Sequence, residues 1–350
     1  MNFLVIRVGN IGDVFMATPV VRALRKTFPD SAIDFVTSPQ AHCAVKNNSY
    51  VRRIFVYRKC KNFLGALRRN FLIGCLLRRK YDACFILEEH PQYKEFAFHS
   101  TGKQCIRIGF SGEGEQGLNF HNKFSHDKHV IENNLHLVRD YYQISLTGED
   151  LLMDFVLPNS DECKLSTMPG RYALIHPGVT QNLPYRGWRA ESIAQTIRFL
   201  REEKLDIVLT GQKNDQKLLE EIVKHCSLEE RKHVHLVVDR SFEDLALFIK
   251  RATVVLCSDT GILHIARALN IPVLGLFGPS NPHHTGGLGP GIHRFIRNDF
   301  VCGPCNYSAA YRFEEKKNCL DGKIPACMAS ITVEQVRGQL KDILVQRGSL

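Results

Sequence analysis

A carboxylate and two glycines stand together in a turn that follows the first apolar segment of the chain. The turn reads Arg-Val-Gly-Asn-Ile-Gly-Asp, and Gly9 and Gly12, with Asn10 between them, allow the backbone to turn tightly and approach a ligand. The dinucleotide-binding fingerprint G-x-G-x-x-G is incomplete here, and the carboxylate of Asp13 would repel a phosphate. Two interpretations of Asp13 remain open: a charge that stabilises a helix start, or a general base facing a cleft.

A second turn combines acidic, hydroxyl and imidazole side chains. It reads Cys-Ser-Asp-Thr-Gly-Ile-Leu-His and predicts the end of a strand followed by the start of a helix. Backbone N–H groups at a helix start form an anion site, so Asp259, Thr260 and Gly261 could bind a sugar hydroxyl and a phosphate oxygen. The alternative is a simple helix cap by Ser258 or Asp259, which leaves the neighbouring His264 unexplained.

Two further turns offer a cation and a third carboxylate. Arg186 follows a His-Pro-Gly turn at 176–178 and could pair with a diphosphate. Trp188 is the only tryptophan, and it is either a packing residue or a ligand contact. Asp215 ends the turn Leu-Thr-Gly-Gln-Lys-Asn-Asp, where it could accept hydrogen bonds from ribose hydroxyls or stand as a solvated carboxylate at a helix start.

Alternating strands and helices must position these turns. The predicted strands cover residues 3–8, 32–36, 82–87, 172–175, 206–209, 234–237, 253–257 and 272–277. Helical patterns lie between them, the first at 12–26, and this alternation predicts βαβ units with parallel sheets. The segment 110–128 is rich in Gly, Asn, His and Ser and predicts a long loop. We therefore expect an α/β protein whose chemistry lies beyond the carboxyl ends of its strands, facing a cleft.

The same spacing predicts two domains. A segment with two prolines at 157–170 reads as the linker, and the 350 residues are too many for one ordinary core. The predicted domains are 1–160 and 171–335, followed by a C-terminal helix and tail at 336–350.

The composition is typical of a soluble globular protein. Hydrophobic residues make up 44% and charged residues 23%, no apolar stretch is long enough to span a bilayer, and the N-terminus has no signal-peptide pattern. We therefore expect a cytoplasmic protein whose 12 cysteines are mostly reduced, with Cys84 and Cys257 buried as small apolar side chains. The net charge of +10 favours an anionic partner.

A basic amphipathic segment precedes the predicted strand at 82–87. Residues 62–79 predict a helix in which Phe and Leu alternate with Arg. This helix either packs on the core with a solvated basic face, or contacts an anionic membrane surface or a phosphorylated glycolipid. The two interpretations are compatible.

Four cysteines near the C-terminus have features of a zinc site. Cys302 and Cys305 form a C-x-x-C pair, but Cys319 and Cys327 follow at irregular spacing. A structural metal site, free thiols and a redox-sensitive pair all remain open.

Taken together, these segments resemble glycosyltransferase family 9, the ADP-heptose:lipopolysaccharide heptosyltransferases. Residues 6–14 and 18–24 are similar to the opening signature of the family. In the second half, residues 176–178, 258–266 and 268–282 match in the same order. Several ordered matches over nearly the whole chain are more specific than any one of them.

The resemblance implies the GT-B architecture, with two Rossmann-like domains facing a central cleft and a C-terminal helix that often crosses back. It implies an inverting, metal-independent glycosyltransferase without a cofactor. The implied donor is a nucleotide sugar, ADP-heptose, and the implied acceptor is a lipopolysaccharide core or a related anionic glycolipid. Peripheral contact with the inner face of the cytoplasmic membrane stays an open interpretation of the basic segment at 62–79, and no nucleic-acid partner is expected. Because 111–128 has no clear family pattern, the exact acceptor stays open.

The resemblance also implies roles for single residues. Asp13 would be the base that deprotonates the acceptor hydroxyl, in the turn formed by Gly9, Asn10 and Gly12. Arg186 stands where the family often has lysine and would neutralise the leaving diphosphate. The implied donor-binding residues are Arg186, Thr180, Asp215, Asp259, Thr260, Gly261 and His264.

The donor-binding set divides by the part of the donor it would contact. Thr260 and Gly261 would bind phosphate at the helix start. Asp259 would contact the sugar or its phosphates, and Asp215 the ribose.

Two other functions remain open at this point. A nucleotide-sugar epimerase on a similar fold would turn over the donor without any acceptor. A basic nucleic-acid-binding protein fits the net charge, but the sequence contains no recognisable nucleic-acid-binding module.

Overall fold

The chain forms two compact units, Met1–Val156 and Leu157–Leu350. A computed structural model describes residues 1–59, 62–112, 115–157, 169–178, 186–300, 302–305, 320–321 and 324–348. Most of the linker predicted at 157–170 therefore lies outside the described residues.

The first unit is built on a six-stranded parallel sheet. Its strands are β1 (Asn2–Ile6), β2 (Ala32–Thr37), β3 (Arg53–Val56), β4 (Ala83–Ile86), β5 (Ile106–Phe110) and β6 (Phe120–Asn122). Its helices are α1 (Ile11–Phe15), α2 (Thr18–Thr27), α3 (His42–Val45), α4 (Phe63–Leu77), α5 (Pro91–Ser100) and α6 (Val130–Tyr142). The strand order β3-β2-β1-β4-β5-β6 is that of a Rossmann fold, in which the direction of strand addition reverses between β1 and β4.

The central strands are apolar because the sheet is covered on both faces. From Phe3 through Ile6, β1 is fully buried, and so is β4. Cys84, in β4, is fully buried, as predicted. The sheet therefore holds the turns that follow β1 and β4 side by side.

The single helix predicted at 12–26 is wrong, because the chain forms two helices there. Pro19 has no N–H group to donate to the carbonyl of Phe15, four residues earlier. The hydroxyl of Thr18 donates to that carbonyl instead, at 2.8 Å. Helix α1 therefore ends at Phe15, and α2 begins at Thr18.

The prediction of a long loop at 110–128 is also wrong in part, because this segment contains the edge strand β6, which pairs in parallel with β5. Strands β3 and β5 were missed as well. Strand β5 carries Arg107 and Gly109, which weaken the apolar pattern. Inside the fold Arg107 is buried, since its guanidinium donates to the carbonyl of Gly117 at 2.6 Å.

The second unit repeats this topology. Its parallel strands are β7 (Tyr172–His176), β8 (Asp206–Gly211), β9 (Val234–Val238), β10 (Val254–Ser258), β11 (Val273–Leu276) and β12 (His293–Ile296), in the order β12-β11-β10-β7-β8-β9. A small antiparallel pair consists of β13 (Leu320–Asp321) and β14 (Ile324–Pro325). The helices are α7 (Ala190–Glu202), α8 (Gln216–Lys224), α9 (Leu228–Arg231), α10 (Phe242–Arg251), α11 (Gly261–Ala268), α12 (Pro282–Thr285), α13 (Ala326–Ala329) and α14 (Val333–Gly348). Each described unit thus contains one Rossmann-like sheet, which confirms the predicted α/β, GT-B fold class.

The last helix belongs to the core of the second unit. Val336, Leu340 and Ile343 are fully buried in its hydrophobic cluster, at a spacing that places them on one face of α14. Arg347 donates to the carbonyl of Ala252 at 2.8 Å and also to the carbonyl of Thr253. The helix begins at Val333, three residues before the predicted boundary.

Within the described part of the chain, no helix combines the length and the apolar character needed to cross a bilayer.

Candidate functional site

In the first unit, the turn after β1 fixes the carboxylate of Asp13 against the start of a helix. Asp13 is the third residue of α1, and its Oδ2 accepts a hydrogen bond from the backbone N–H of Asn10 at 2.8 Å. A Cβ at Gly9 would lie 2.5 Å from that same oxygen, so a side chain there would displace the carboxylate. Gly12 is buried inside α1. The helix-start interpretation of Asp13 is therefore right about its geometry, and this geometry also fixes the carboxylate in one orientation.

The other oxygen of Asp13 faces a cation. The guanidinium of Arg7 lies 3.0 Å from Oδ1 of Asp13 and 3.6 Å from Oε2 of Glu88, and it also donates to the carbonyl of Leu87. The backbone N–H of Val8 donates to Oε1 of Glu88 at 2.6 Å. Because β1 and β4 are neighbours, Arg7 and Glu88 meet although they are far apart in the chain.

Sequence analysis missed Arg7 and Glu88 as functional candidates. A signal was available for Glu88, since a Glu-Glu pair follows the predicted strand at 82–87. Its partner could not be identified without knowing that β4 lies beside β1.

The charges of this cluster depend on one another. Burial lowers the pKa of Arg7, but the nearby Glu88 and Asp13 outweigh burial and raise it overall, so Arg7 stays charged. Burial also raises the pKa of Glu88, against the opposing effects of Arg7 and of the Val8 N–H. The side chain of Asp13 is 31% exposed and that of Glu88 is 13% exposed, so Asp13 is the carboxylate that a ligand reaches more easily.

A cavity of about 660 Å³ lies in the first unit, lined mainly by residues of α4 and α5. Lys59 and Arg69 line it together with the apolar side chains of α4 and α5. Lys59 is also one of the cations that oppose the burial-induced rise in the pKa of Glu88. Tyr57, another lining residue, has its ring 5.7 Å from that of Tyr93, whose pKa is raised by burial and by Glu88. The cavity therefore combines apolar walls with charged residues, the basic Lys59 and Arg69 and the acidic Glu95, and Lys59 connects it electrostatically to Glu88.

In the second unit, the turn after β10 pairs a cation with an acid. One guanidinium nitrogen of Arg186 lies 2.9 Å from Oδ2 of Asp259 and donates to the backbone carbonyl of Asp259 at 2.6 Å. Both side chains are largely buried, at 14% and 6% exposed. The Nε of Arg186 has no hydrogen-bond partner among the described residues. The structure thus brings together two residues that sequence analysis assigned to the donor.

The start of α11 lies directly after Asp259. Thr260 is the N-cap in an extended conformation, so the predicted cap by Ser258 or Asp259 is wrong. Its side chain does not cap the helix, and the buried Oγ1 finds no partner in the part of the chain that the structure describes. Gly261 opens the helix, and His264 is buried one turn later. The first N–H groups of α11 form the kind of helix start that binds anions.

The turn after β8 holds a third carboxylate. The Oδ2 of Asp215 accepts a hydrogen bond from the backbone N–H of Gln212 at 2.8 Å. A Cβ at Gly178 would lie 2.5 Å from that oxygen, and one at Gly211 would lie 2.9 Å from the Cβ of Asp215. Asp215 therefore lies at a helix start, as the alternative interpretation has it, but is half-buried against two glycines rather than solvated.

A histidine at the end of β7 completes this group. The Nδ1 of His176 lies 3.0 Å from the hydroxyl of Thr210, and burial lowers the pKa of His176 to about 4, although Asp215 acts in the opposite direction. His176 is therefore neutral at neutral pH. In the sheet His176 pairs with Cys257, and Ile175 pairs with Leu209, so the turns after β7, β8 and β10 share one edge.

Thr180 and the four C-terminal cysteines are the remaining candidate site residues that the sequence singled out, and only three of the cysteines lie within the described residues. Thr180 and Cys319 are outside the described residues. Cys302 is exposed, and Cys305 and Cys327 are half-buried. Among the described residues, the group whose ligand atoms could share a metal ion is Glu191, Glu221 and His225, all exposed, and it contains none of these cysteines.

Two predicted packing residues take that role. Trp188 is buried in the core of the second unit, and its Nε1 donates to the carbonyl of Ile331 at 3.1 Å. Cys257 is buried in β10. The packing interpretation of both residues is confirmed.

Known proteins match the chain in sequence and in fold. The model of glycosyltransferase family 9 (heptosyltransferase) matches residues 72–311, more than half of the chain. Lipopolysaccharide heptosyltransferase 2 of Escherichia coli K12 is 23% identical over 300 residues, which cover 81% of this chain and 85% of that protein.

Solved structures share the fold over almost the full length. The E. coli ADP-heptose lipopolysaccharide heptosyltransferase II has a TM-score of 0.76 at 20% identity, covering 99% of this chain and 100% of that one. A family 9 glycosyltransferase from Veillonella parvula has a TM-score of 0.78 at 17% identity, covering 99% and 97%. The family match supports glycosyl transfer, the first of the three functions considered from the sequence. The chain therefore belongs to glycosyltransferase family 9, the heptosyltransferase family of lipopolysaccharide biosynthesis.

Proposed function

We propose that this protein is an inverting, metal-independent transferase that moves heptose from ADP-heptose to a hydroxyl of a lipopolysaccharide core or a related anionic glycolipid. The observation that carries the proposal is the orientation of Asp13. One of its oxygens is held by the N–H of Asn10 and the other by Arg7, while the side chain stays 31% exposed. A general base needs this combination of fixed orientation and access.

The reaction is a single displacement at the anomeric carbon. The acceptor oxygen forms a bond to that carbon on the side opposite the diphosphate, the bond to the diphosphate oxygen breaks, and ADP leaves. The hydroxyl proton passes to the carboxylate of Asp13. A carboxylate must be ionised before it can accept a proton, and an adjacent guanidinium such as that of Arg7 favours the ionised form.

The second unit would stabilise the negative charge that develops on the leaving diphosphate. Arg186 and the N–H groups at the start of α11, behind Thr260 and Gly261, supply positive charge that a metal ion would otherwise provide. In the described residues the Nε of Arg186 and the Oγ1 of Thr260 have no partner, so both can donate to phosphate oxygens without breaking a bond.

Asp215 fits the ribose of the donor. One of its oxygens is engaged by the Gln212 N–H, and the carboxylate lies against Gly178, where backbone leaves room for a close approach. A carboxylate accepts from two neighbouring hydroxyl groups, which is the pattern that ribose presents. The neutral His176 beside it adds no charge to the site.

The cavity lined by α4 and α5 has a size and a lining that suit part of an anionic glycolipid acceptor. Lys59 and Arg69 provide positive charge for phosphate or carboxylate groups, and Ile73 and Phe96 provide apolar walls. Lys59 lines this cavity and also acts electrostatically on Glu88, which supports an acceptor site on the side of the cluster that holds Asp13.

The test is Asp13→Asn, measured as ADP released in the presence of donor and acceptor. We expect transfer to fall by at least about a hundredfold. Binding of ADP-heptose, followed by thermal shift, should stay close to that of the unchanged protein. The matched control is Asp244→Asn, which alters another first-turn aspartate, in α10, and should keep full activity. Normal turnover by Asp13→Asn would rule out Asp13 as the base.

A further inference from the structure

Helix α4 is apolar on two faces, and only one of them is covered. Its inner face places Leu72, Ile73 and Leu76 on the hydrophobic core of the first unit. Its outer face places Phe63, Leu64, Leu67 and Phe71 in solvent, at 76%, 60%, 49% and 76% exposed. Contiguous apolar surface of this kind is normally buried, so we expect the outer face to be covered by a second apolar environment.

The exposed side chains form one continuous stripe. Phe63, Leu67 and Phe71 follow one another at intervals of four residues, so they lie one above the other along the helix. Leu64 borders this row. Most exposed apolar side chains of a soluble protein stand singly, whereas this group occupies successive turns of one helix.

The positive charge of the whole chain is concentrated around this stripe. Residues 51–81 contain ten Lys or Arg residues and no Asp or Glu, so the rest of the chain carries 36 of each sign. Arg68, on α4, and Arg78, its C-cap residue, are both exposed. Glu95 of the neighbouring α5 lines the cavity together with Arg69, on the opposite side of α4. The charged residues of α4 and of its C-cap are therefore all positive.

We propose that the outer face of α4 docks this protein on the surface of an anionic phospholipid bilayer. The phenylalanine and leucine side chains enter the boundary between headgroups and acyl chains, and Arg68 and Arg78 contact lipid phosphates. Two other occupants fit less well. A second copy of the chain would bring equal positive charges together, and nucleic-acid bases could stack on Phe63 and Phe71 but would leave the aliphatic Leu64 and Leu67 without an apolar partner.

The first experiment measures partition of the full chain to vesicles of equimolar phosphatidylethanolamine and phosphatidylglycerol. Phe63→Gln combined with Phe71→Gln should lower the partition coefficient by about tenfold or more. The matched control is Leu228→Gln, which replaces an equally exposed apolar residue of the second unit, 78% exposed, and should bind like the unchanged protein. Equal binding by the double phenylalanine variant would overturn the proposal.

The second experiment tests the charges. Arg68→Gln and Arg78→Gln should each weaken binding to these vesicles by about fivefold, and added salt should weaken binding of the unchanged protein. Lys217→Gln, an exposed lysine on α8, is the control. Equal binding of the unchanged protein to vesicles of phosphatidylcholine alone would overturn the role of charge. Loss of single-stranded RNA binding by the same variants, with vesicle binding intact, would assign the surface to nucleic acid instead.

A fluorescent side chain makes insertion directly visible. Trp188 is the only tryptophan and is 4% exposed, so Phe71→Trp adds a second tryptophan that starts in water. Its emission should shift to shorter wavelength when anionic vesicles are added, whereas that of the unchanged protein should not. No shift would contradict insertion. The vesicles contain neither donor nor acceptor, so these results are independent of the transfer reaction.

Discussion

Two turns, one in each unit, hold a carboxylate in the same way. Gly9 and Asp13 stand four residues apart, as do Gly211 and Asp215. In each turn the residue after the glycine donates its N–H to Oδ2 of the aspartate, at 2.8 Å. In each turn a Cβ on the glycine would collide with the aspartate side chain.

The surroundings of the two carboxylates differ. Asp13 lies 3.0 Å from the charged guanidinium of Arg7, which it shares with Glu88. The ionisable neighbour of Asp215 is His176, whose pKa burial lowers to about 4 and which is therefore neutral. A backbone turn thus fixes where a carboxylate points, while the neighbouring charge decides what chemistry it suits. We assign proton transfer to the first and hydroxyl binding to the second.

The largest effect is expected from Arg7→Gln, which removes the charge that distinguishes the two sites. Asp13 and the largely buried Glu88 are then left without a cation, so we expect a loss of about 3 kcal/mol in the free energy of unfolding. Transfer should fall by about a hundredfold or more. Denaturant unfolding and the rate of ADP release measure the two effects.

Arg52→Gln separates stability from catalysis in that experiment. Arg52 pairs with the fully buried carboxylate of Asp34 at 2.9 Å, away from Asp13. This variant should lose stability but keep its rate per folded molecule. If Arg7→Gln behaved in the same way, Arg7 would have only a structural role.

A smaller and more selective effect is expected when either glycine becomes alanine. Gly9→Ala displaces the carboxylate of Asp13, so kcat should fall by about tenfold while the KM for the donor stays nearly constant. Gly211→Ala displaces Asp215, so the KM for the donor should rise by about tenfold with little change in kcat. The same kinetic parameter changing in both variants would contradict the assignment of different roles.

The smallest effect is a pH dependence in the second unit. The pKa of His176 is about 4 in the folded state, below its ordinary 6.5, so the unfolded state binds more protons between these values. Stability that is present above pH 6.5 is therefore lost as the pH falls toward 4. Trp188 is buried in this unit, and its fluorescence follows unfolding there. His176→Gln should flatten the loss, and an unchanged pH profile would exclude His176 as its source.

The sequence predicted the turns better than it predicted the elements around them. The turn before Asp13 and the turn before Gly261 were located correctly because glycine, aspartate and the end of an apolar segment are local signals. In the two parallel sheets, strands β3, β6 and β12 were missed because they are short and lie at sheet edges. Strand β5 was missed because Arg107 and Gly109 interrupt its apolar pattern. The helix break before Pro19 was missed although proline is itself a local signal, since it has no N–H to donate to the carbonyl of Phe15.

The partners of the predicted residues were harder to foresee. Arg186 and Asp259 were each assigned to the donor, yet nothing in their spacing indicates that they form an ion pair, 73 residues apart. Glu88 was not identified at all. The segment at 62–79 was predicted to be a basic amphipathic helix. In the structure one apolar face of α4 packs on the core and another lies in solvent.

The sequence by itself determined the alternation of strands and helices and the turn that places Asp13 at a helix start after Gly9, because those interactions span only a few residues. Only the tertiary structure decided which charged or neutral groups from distant parts of the chain lie beside these carboxylates. Arg7 reaches Glu88 because β1 pairs with β4, and His176 lies beside Thr210 because β7 pairs with β8. Strand pairing joins residues that are distant in the chain, and the energy of that pairing depends on the whole sheet rather than on any local pattern.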